Sequence, residues 1–144
     1  MKKLLLTLAV LLLASPAFSR EDYLPSDNLG RYIYEKLDLS TFRNSFGPRR
    51  SETDRLFSDL GLTPTEIKDD AFTVETDTWR YEVTVVRIKD INRDGVKDVE
   101  ICFKEQSKTG TYNAQSPLLI TQFSQSGNLV ALGYKVSGCE SFAH

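Results

Sequence analysis

The alternation of apolar and polar side chains from Trp79 to Ile88 constrains the fold of this chain more than any other feature. Side chains along a strand point to opposite faces of a sheet in turn, so this pattern predicts a strand with one buried face. Four other segments have a strand-forming composition: Phe72–Thr76, Val99–Lys104, Leu118–Phe123 and Leu129–Val136. Because the connections between these segments are short, we expect an antiparallel meander of four or five strands.

The residues that precede the strands have a helical pattern instead. Leu29, Ile33 and Leu37 recur every fourth residue after a start signal at Pro25-Ser26-Asp27. Helices as short as this one are unstable alone, so we expect the helical part to pack on one face of the sheet. A second turn or short helix is expected to carry Phe42 and Phe46 and to end at Gly47-Pro48. A third helix is expected to carry Leu56, Phe57 and Leu60, with Ser51 or Thr53 as its N-cap and Gly61 at its end. Thr63-Pro64-Thr65-Glu66 resembles another cap and predicts one more turn.

Residues 1–19 have the features of a cleaved secretory signal peptide. Lys2 and Lys3 form a charged start, an apolar centre follows, and Ala17-Phe18-Ser19 offers small residues at the positions that a signal peptidase recognises. The apolar centre is shorter than the roughly 20 residues of a membrane-spanning helix, so we expect no membrane span. A short signal led by two lysines is typical of bacteria, which predicts a periplasmic or secreted protein.

The predicted mature chain, residues 20–144, has the length of a single domain. The expected fold class is α+β, with short N-terminal helices packed on a four- to five-stranded antiparallel β-meander. The helical part is expected at about 20–70 and the β-sheet part at about 71–144.

Charge and cysteine content agree with export. The chain has a formal net charge of −2, and loss of Lys2 and Lys3 would make it more acidic, which disfavours nucleic-acid binding. Cys102 and Cys139 are the two cysteines, and in an oxidising compartment they predict one structural disulfide. A redox motif would need cysteines closer in sequence, and a zinc site would need more ligands than these two and His144.

The segment Asp90-Ile91-Asn92-Arg93-Asp94-Gly95-Val96-Lys97-Asp98 carries the clearest chemical signal. It places side-chain oxygens at positions 1, 3, 5 and 9, and a glycine at position 6 where the chain must turn sharply. Calcium binds six to eight oxygen ligands, and water would complete the shell that such a loop supplies. The predicted metal ligands are the side chains of Asp90, Asn92, Asp94 and Asp98 and the backbone carbonyl of Val96.

This D-x-[DN]-x-D-G-x-x-D pattern, with apolar residues Ile91, Val96 and Val99, resembles the calcium loops of FG-GAP and VCBS (integrin-type) repeats over residues 90–99. The resemblance implies a loop between two strands that holds a structural calcium ion. It is local, since the chain has one loop rather than several and Arg93 stands where a glycine is usual. An EF-hand fits less well, because Ile101 occupies the position of its bidentate glutamate.

A turn without metal is the alternative interpretation of this loop. Asp and Asn side chains hydrogen-bond their own backbone and are common in turns between strands. Lys89, Arg93 and Lys97 would then offset part of the repulsion between the carboxylates.

Signals for catalysis are weak. Lys108-Thr109-Gly110 matches one element of the penicillin-recognising serine enzymes, but no S-x-x-K motif accompanies it, and an exposed hairpin turn is expected there. The acidic pair Asp69-Asp70 could be read as the two acids of a glycosidase, but a domain of this size has little room for a substrate cleft. We therefore predict no catalytic and no organic cofactor-binding residue.

Two function classes remain. The first is a non-enzymatic, calcium-binding and disulfide-stabilised module that binds a protein or glycan partner. The second is a cell-wall or polysaccharide hydrolase, or an accessory protein of one. The contact surfaces expected for the first class are the Gly110–Gln115 loop with Tyr112 and a basic stretch of four arginines: Arg43, Arg49, Arg50 and Arg55. The sequence does not predict an oligomeric state.

Overall fold

A computed structural model of the chain describes residues 22–47 and 52–139. This part forms a six-stranded antiparallel sheet in which each strand pairs with its neighbour along the chain. The predicted antiparallel meander is confirmed, whereas the predicted number of four or five strands is too low. The predicted signal peptide, residues 1–19, lies outside the described residues, as do Arg49, Arg50 and His144. The elements in chain order are α1 (Leu29–Lys36), a 3-10 helix (Leu39–Thr41), β1 (Glu66–Ile67), β2 (Ala71–Glu75), β3 (Trp79–Lys89), β4 (Asp98–Ser107), β5 (Asn113–Gln122) and β6 (Leu129–Leu132).

The prediction of several N-terminal helices is wrong, because α1 is the one α-helix of the described residues. Of the turn or helix expected with Phe42 and Phe46, no helix forms, but Phe46 lies in a turn in which Gly47 donates its N–H to the carbonyl of Asn44 at 3.4 Å. A 3-10 turn ends at Thr41, before either phenylalanine, and Phe42 is already extended. Asp38 sets where this turn begins, since its carboxylate accepts the backbone N–H of Ser40 at 3.0 Å.

The expected helix at Leu56–Leu60 is a single turn. Gly61 ends it as predicted: its φ of 69° lets Leu62 donate its N–H to the carbonyl of Phe57 at 2.9 Å. The side chain of Asp59 accepts the N–H groups of Arg55 and Leu56, so the turn is closed at both ends before a helix can extend.

The further helical turn predicted at Thr63–Glu66 does not form either, because Thr65 lies in a bend and Glu66 already begins β1. Thr65 donates its N–H to the carbonyl of Thr73 at 2.8 Å, and β1 follows as a short edge strand beside β2. Two residues of strand are too few to give a period-2 pattern, which is why the sequence did not indicate β1.

One face of the sheet forms the main core. Val99, Ile101 and Phe103 alternate along β4 and are fully buried, as predicted from their spacing. Across the interface, α1 contributes Ile33, and the segments around it contribute other fully buried residues: Leu37, Leu39 and Phe57. The helical segments therefore cover this face, which is the packing expected of an α+β domain.

The C-terminal segment lies on the opposite face of the sheet. The predicted disulfide is present between Cys102 of β4 and Cys139, which are 37 residues apart in sequence. Gly138 sits so close to β3 and β4 that a Cβ there would lie 3.1 Å from Glu100 Oε1 and from Val86 Cγ2. The disulfide thus fastens the end of the described chain over Cys102 and Glu100, both of which are buried.

Candidate metal site

The predicted metal loop lies between β3 and β4, the position that the resemblance implies. Lys89 and Asp98 form the last pair of these strands, and residues 90–97 turn beyond them. The backbone turns through two left-handed residues, Arg93 with φ 63° and Gly95 with φ 88°. A left-handed conformation costs a residue with a Cβ about 1–2 kcal/mol, so the usual glycine at the position of Arg93 has a physical reason.

Three of the predicted ligands form one hydrogen-bonded group. Asp90 accepts the backbone N–H of Asp94 at 3.1 Å on Oδ1 and that of Gly95 at 3.0 Å on Oδ2. Asn92 Oδ1 also accepts the N–H of Asp94, at 3.1 Å, and Asp94 Oδ1 accepts the N–H of Val96 at 2.9 Å. The loop therefore draws the oxygen-bearing side chains at positions 1, 3 and 5 inward, against its own backbone.

Asp98 closes the loop from below. It is the first residue of β4 and is fully buried. Its Oδ2 accepts the N–H groups of Ile91 at 2.9 Å and Asn92 at 3.2 Å, whereas its Oδ1 is buried and has no hydrogen-bond partner. A carboxylate oxygen buried without a partner is costly, and a bound cation would relieve that cost.

Lys97, a cation of the loop itself, is paired with an acidic residue outside the loop. It pairs with Asp22, at 2.7 Å from Nζ, and its backbone N–H donates to the same carboxylate. These hydrogen bonds hold the pKa of Asp22 below its ordinary value.

The geometry is not that of a closed metal centre. Within residues 22–47 and 52–139, no three acidic, histidine or cysteine side chains converge in the arrangement of a metal site. Carboxylate oxygens of Asp90 and Asp94 accept hydrogen bonds from backbone N–H groups, as they would in a turn without a bound metal. The oxygen donors and the unpartnered Oδ1 of Asp98 fit a hard cation in chemistry. Backbone hydrogen bonds tie Asp90, Asn92, Asp94 and Asp98 to one loop, but the three carboxylates do not converge on a common point.

One further buried polar residue is indicated by no motif in the sequence. Thr121 on β5 is also buried, and its Oγ1 is the second side-chain oxygen of the described residues that lacks a hydrogen-bond partner. No local motif indicates Thr121, because its distance to the loop depends on how β4 and β5 pair.

A second candidate surface lies at the opposite end of the sheet. Tyr112 is 47% exposed and meets Trp79 edge to face at 5.5 Å. Trp79 stacks on Tyr81 at 5.9 Å, and Tyr81 stacks on Phe46 at 4.6 Å. We call these four residues the aromatic row. Burial raises the pKa of Tyr81, which keeps its hydroxyl neutral in the middle of the row.

The other sequence signals have structural explanations. Lys108-Thr109-Gly110 forms the expected exposed turn, and Lys108 donates its Nζ to the carbonyl of Thr76 at 2.9 Å. The backbone carbonyls of Asp69 and Asp70 accept N–H groups from Gly30 and Val85, so this acidic pair belongs to the turn before β2.

The four arginines do not form one described surface. Arg55 pairs at 2.9 Å with the buried carboxylate of Asp38, whereas Arg43 is exposed. Arg49 and Arg50 belong to the gap between the described ranges.

The face of the sheet opposite the main core has a groove with several acidic residues, which is the feature that a hydrolase site would need. The groove has a volume of about 240 Å³, and Glu66, Asp70, Arg80 and Glu82 line part of it. Glu82 pairs with Arg80 at 3.2 Å and with Lys104 at 3.5 Å, and Arg80 also pairs with Glu75. Glu82 therefore belongs to a cross-strand network of ion pairs, which explains this acidic residue without a catalytic role.

No helix in the two described ranges is long and apolar enough to cross a bilayer.

Comparison with known proteins assigns no family. The chain matches no protein-family model, no curated protein and no solved structure.

Proposed function

We propose that this protein is a small exported module that binds calcium at residues 90–98 and acts without catalysis, by binding a protein or glycan partner. The observation that carries the calcium site is the oxygen Oδ1 of Asp98, which is buried and unpartnered at the base of an acidic loop. The proposed ligands are the side chains of Asp90, Asn92, Asp94 and Asp98, with the carbonyl of Val96.

The chemistry of the loop supports calcium over softer metals. All of the proposed donors are oxygens, which hard cations prefer, and three of them are carboxylates. The resemblance to FG-GAP and VCBS loops points to the same ion. Extracellular modules of this kind bind calcium with dissociation constants of about 10⁻⁴–10⁻³ M, and we expect an affinity in that range.

The ion has a structural role in this proposal. The loop joins β3 and β4, whose pairing runs from Trp79 with Ser107 to Lys89 with Asp98. A cation held at the end of this pair neutralises the carboxylates and stabilises the hairpin. The disulfide between Cys102 and Cys139 supports export to the periplasm or the exterior, because such bonds persist in oxidising compartments.

The outer end of the aromatic row, the exposed Tyr112 with the partly exposed Trp79, is the proposed contact surface for the partner. Tyrosine and tryptophan are enriched where proteins bind partners, since they bury much area at a low cost in side-chain entropy. The stack behind Tyr112 holds its neighbour Trp79 in place before a partner binds. Such rings also offer flat apolar faces to the rings of sugars.

Calorimetric titration tests the metal part of the proposal. The wild-type mature chain should bind calcium, and Asp94→Ala should abolish binding, whereas Asp77→Ala should bind like the wild type. Asp77 is a matched control because it is an exposed aspartate in the turn between β2 and β3, far from the loop. A wild-type chain that takes up no calcium at millimolar concentration would refute the site.

Co-sedimentation with peptidoglycan and capture of periplasmic proteins test the binding part. Tyr112→Ala should weaken the interaction with either partner, whereas Tyr134→Ala should not, although Tyr134 is 51% exposed. Equal retention by the two variants would exclude the aromatic row as the contact surface.

A further inference from the structure

Two side-chain oxygens stand out in the described part of the chain, because both are buried and neither has a hydrogen-bond partner. They are Oδ1 of Asp98 and Oγ1 of Thr121, and the exposed fractions of the two residues are 0% and 1%. A buried polar atom without a partner is uncommon in a folded protein and calls for a physical explanation. That two of them occur on adjacent strands indicates one cause.

The strand register places these two residues side by side. Val99 of β4 is paired with Ile120 of β5 in antiparallel orientation, so the next position along each strand sets Asp98 opposite Thr121. Val99 and Ile120 point into the main core, and Asp98 and Thr121 therefore point to the other face. The Cβ atoms of directly opposed residues are about 4.5–5.5 Å apart.

The other oxygen of the Asp98 carboxylate already has hydrogen-bond partners. Asp98 Oδ2 accepts two backbone N–H groups from the loop, which fixes the plane of the carboxylate and the direction of Oδ1. The nearest buried acid on the same face, Glu100, is satisfied by Arg87 at 2.6 Å, so this arginine is not shared with Asp98. Asp98 and Thr121 thus lie on the same face of neighbouring strands, each with a side-chain oxygen that has no hydrogen-bond partner.

We propose that Thr121 is a further oxygen donor of the cation site, and that the site spans three strands rather than one hairpin. The Oγ1 of Thr121 and the Oδ1 of Asp98 hold the same calcium ion, which ties β5 to the loop between β3 and β4. This inference rests on the calcium site proposed above. It assigns the ion a ligand that lies outside the sequence motif.

The substitution Thr121→Val tests the inference, because valine keeps the shape of threonine and removes only the hydroxyl. Calorimetric titration of the mature chain with calcium should give a dissociation constant about 10–100-fold weaker for Thr121→Val, the size expected when a residue that supports a metal site is lost. Thr121→Ser keeps the oxygen and should bind within about twofold of the wild type.

A second readout separates ligation from packing. In the presence of a chelator, Thr121→Val should unfold at the same temperature as the wild type or higher, because it removes a buried hydroxyl that has no partner. Thr73→Val is the matched control, since Thr73 is a buried threonine of β2 on the same face, and its calcium affinity should be unchanged.

The outcomes distinguish this inference from the calcium site itself. If the wild type binds calcium and Thr121→Val binds it equally well, Thr121 is not a ligand and the loop site stands alone. If Thr121→Val loses affinity but also melts lower in chelator, the residue acts through packing and the inference fails. A wild type that binds no calcium removes both proposals together. If Thr121→Val does not fold, Thr121→Ala gives the same comparison of affinity and chelator stability.

Discussion

The carboxylate of Asp22 holds Lys97 at two points, the backbone N–H at 3.0 Å and the Nζ at 2.7 Å, across 75 residues of sequence. Lys97 is position 8 of the acidic loop, so this contact fastens the beginning of the described chain to the candidate metal site. It also engages Lys97, the residue before Asp98, with a carboxylate outside the loop.

The contact with Lys97 predicts a pH-dependent effect of Asp22→Asn. Hydrogen bonds from Lys97 lower the pKa of Asp22, so folding favours the ionised carboxylate. This stabilisation is fully present above the ordinary pKa of an aspartate and is lost as the pH falls through the lower pKa of the folded state. Asp22→Asn should therefore be less stable than the wild type at pH 7, and the difference should shrink below about pH 4.

Urea unfolding at a series of pH values measures this difference. Asp27→Asn is the control, because Asp27 is an exposed aspartate in the same segment. A difference between Asp22→Asn and the wild type that stays constant down to pH 2 would contradict the ion pair as its cause.

Gly30 predicts a steric effect at the contact between α1 and the sheet. A Cβ at this position would lie 2.3 Å from the carbonyl oxygen of Lys68 and 2.4 Å from that of Ala71, and neither backbone atom can move aside easily. Gly30→Ala should lower the free energy of unfolding by about 1–3 kcal/mol. Chemical denaturation measures the change, and Gly133→Ala, whose Cβ would meet nothing within 4 Å, should stay within about 0.5 kcal/mol.

The disulfide predicts a large effect of reduction on stability. Removing the bond between Cys102 and Cys139 should cost about 4 kcal/mol in the chain-entropy account for a loop of this size. A reductant should therefore lower the unfolding midpoint of the wild type and leave the double variant Cys102→Ala, Cys139→Ala unchanged. Equal responses of the two proteins would show that the reductant acts elsewhere.

The sequence predicted the strands well because their signal is local. Trp79, Tyr81 and Val83 alternate with polar residues, and β3 begins at Trp79 as expected. The limits of a strand are less visible in such a pattern. The strand β5 begins at Asn113, five residues before the predicted start at Leu118, because pairing with β4 continues through polar residues that carry no alternation signal.

The helical part was overestimated for a physical reason. Apolar spacing around Leu56 and Leu60 fits a helix, but Asp59 caps the start of the turn and Gly61 ends it within a few residues. Helix propensity and the spacing of apolar residues do not indicate that a start cap and an end cap lie too close together for a longer helix.

The candidate site, like the fold, was predictable from the sequence only in its local part. Its loop residues follow one another at fixed spacing, so the sequence identified Asp90, Asn92, Asp94 and Asp98 together. Thr121 reaches the site only through the pairing of Val99 with Ile120, which a single sequence does not specify. The orphaned oxygen of Asp98 is also a property of three-dimensional burial, and no motif encodes it.

The central claim is that calcium binds the loop at residues 90–98, and thermal unfolding of the mature chain with and without calcium tests it most directly. At calcium concentrations about 100-fold above the dissociation constant, binding adds about 2.7 kcal/mol to stability, which corresponds to a rise in Tm of several degrees for a domain of this size. Asp94→Ala should remove this rise, and Asp77→Ala should keep it. An unchanged wild-type midpoint at saturating calcium would contradict the account.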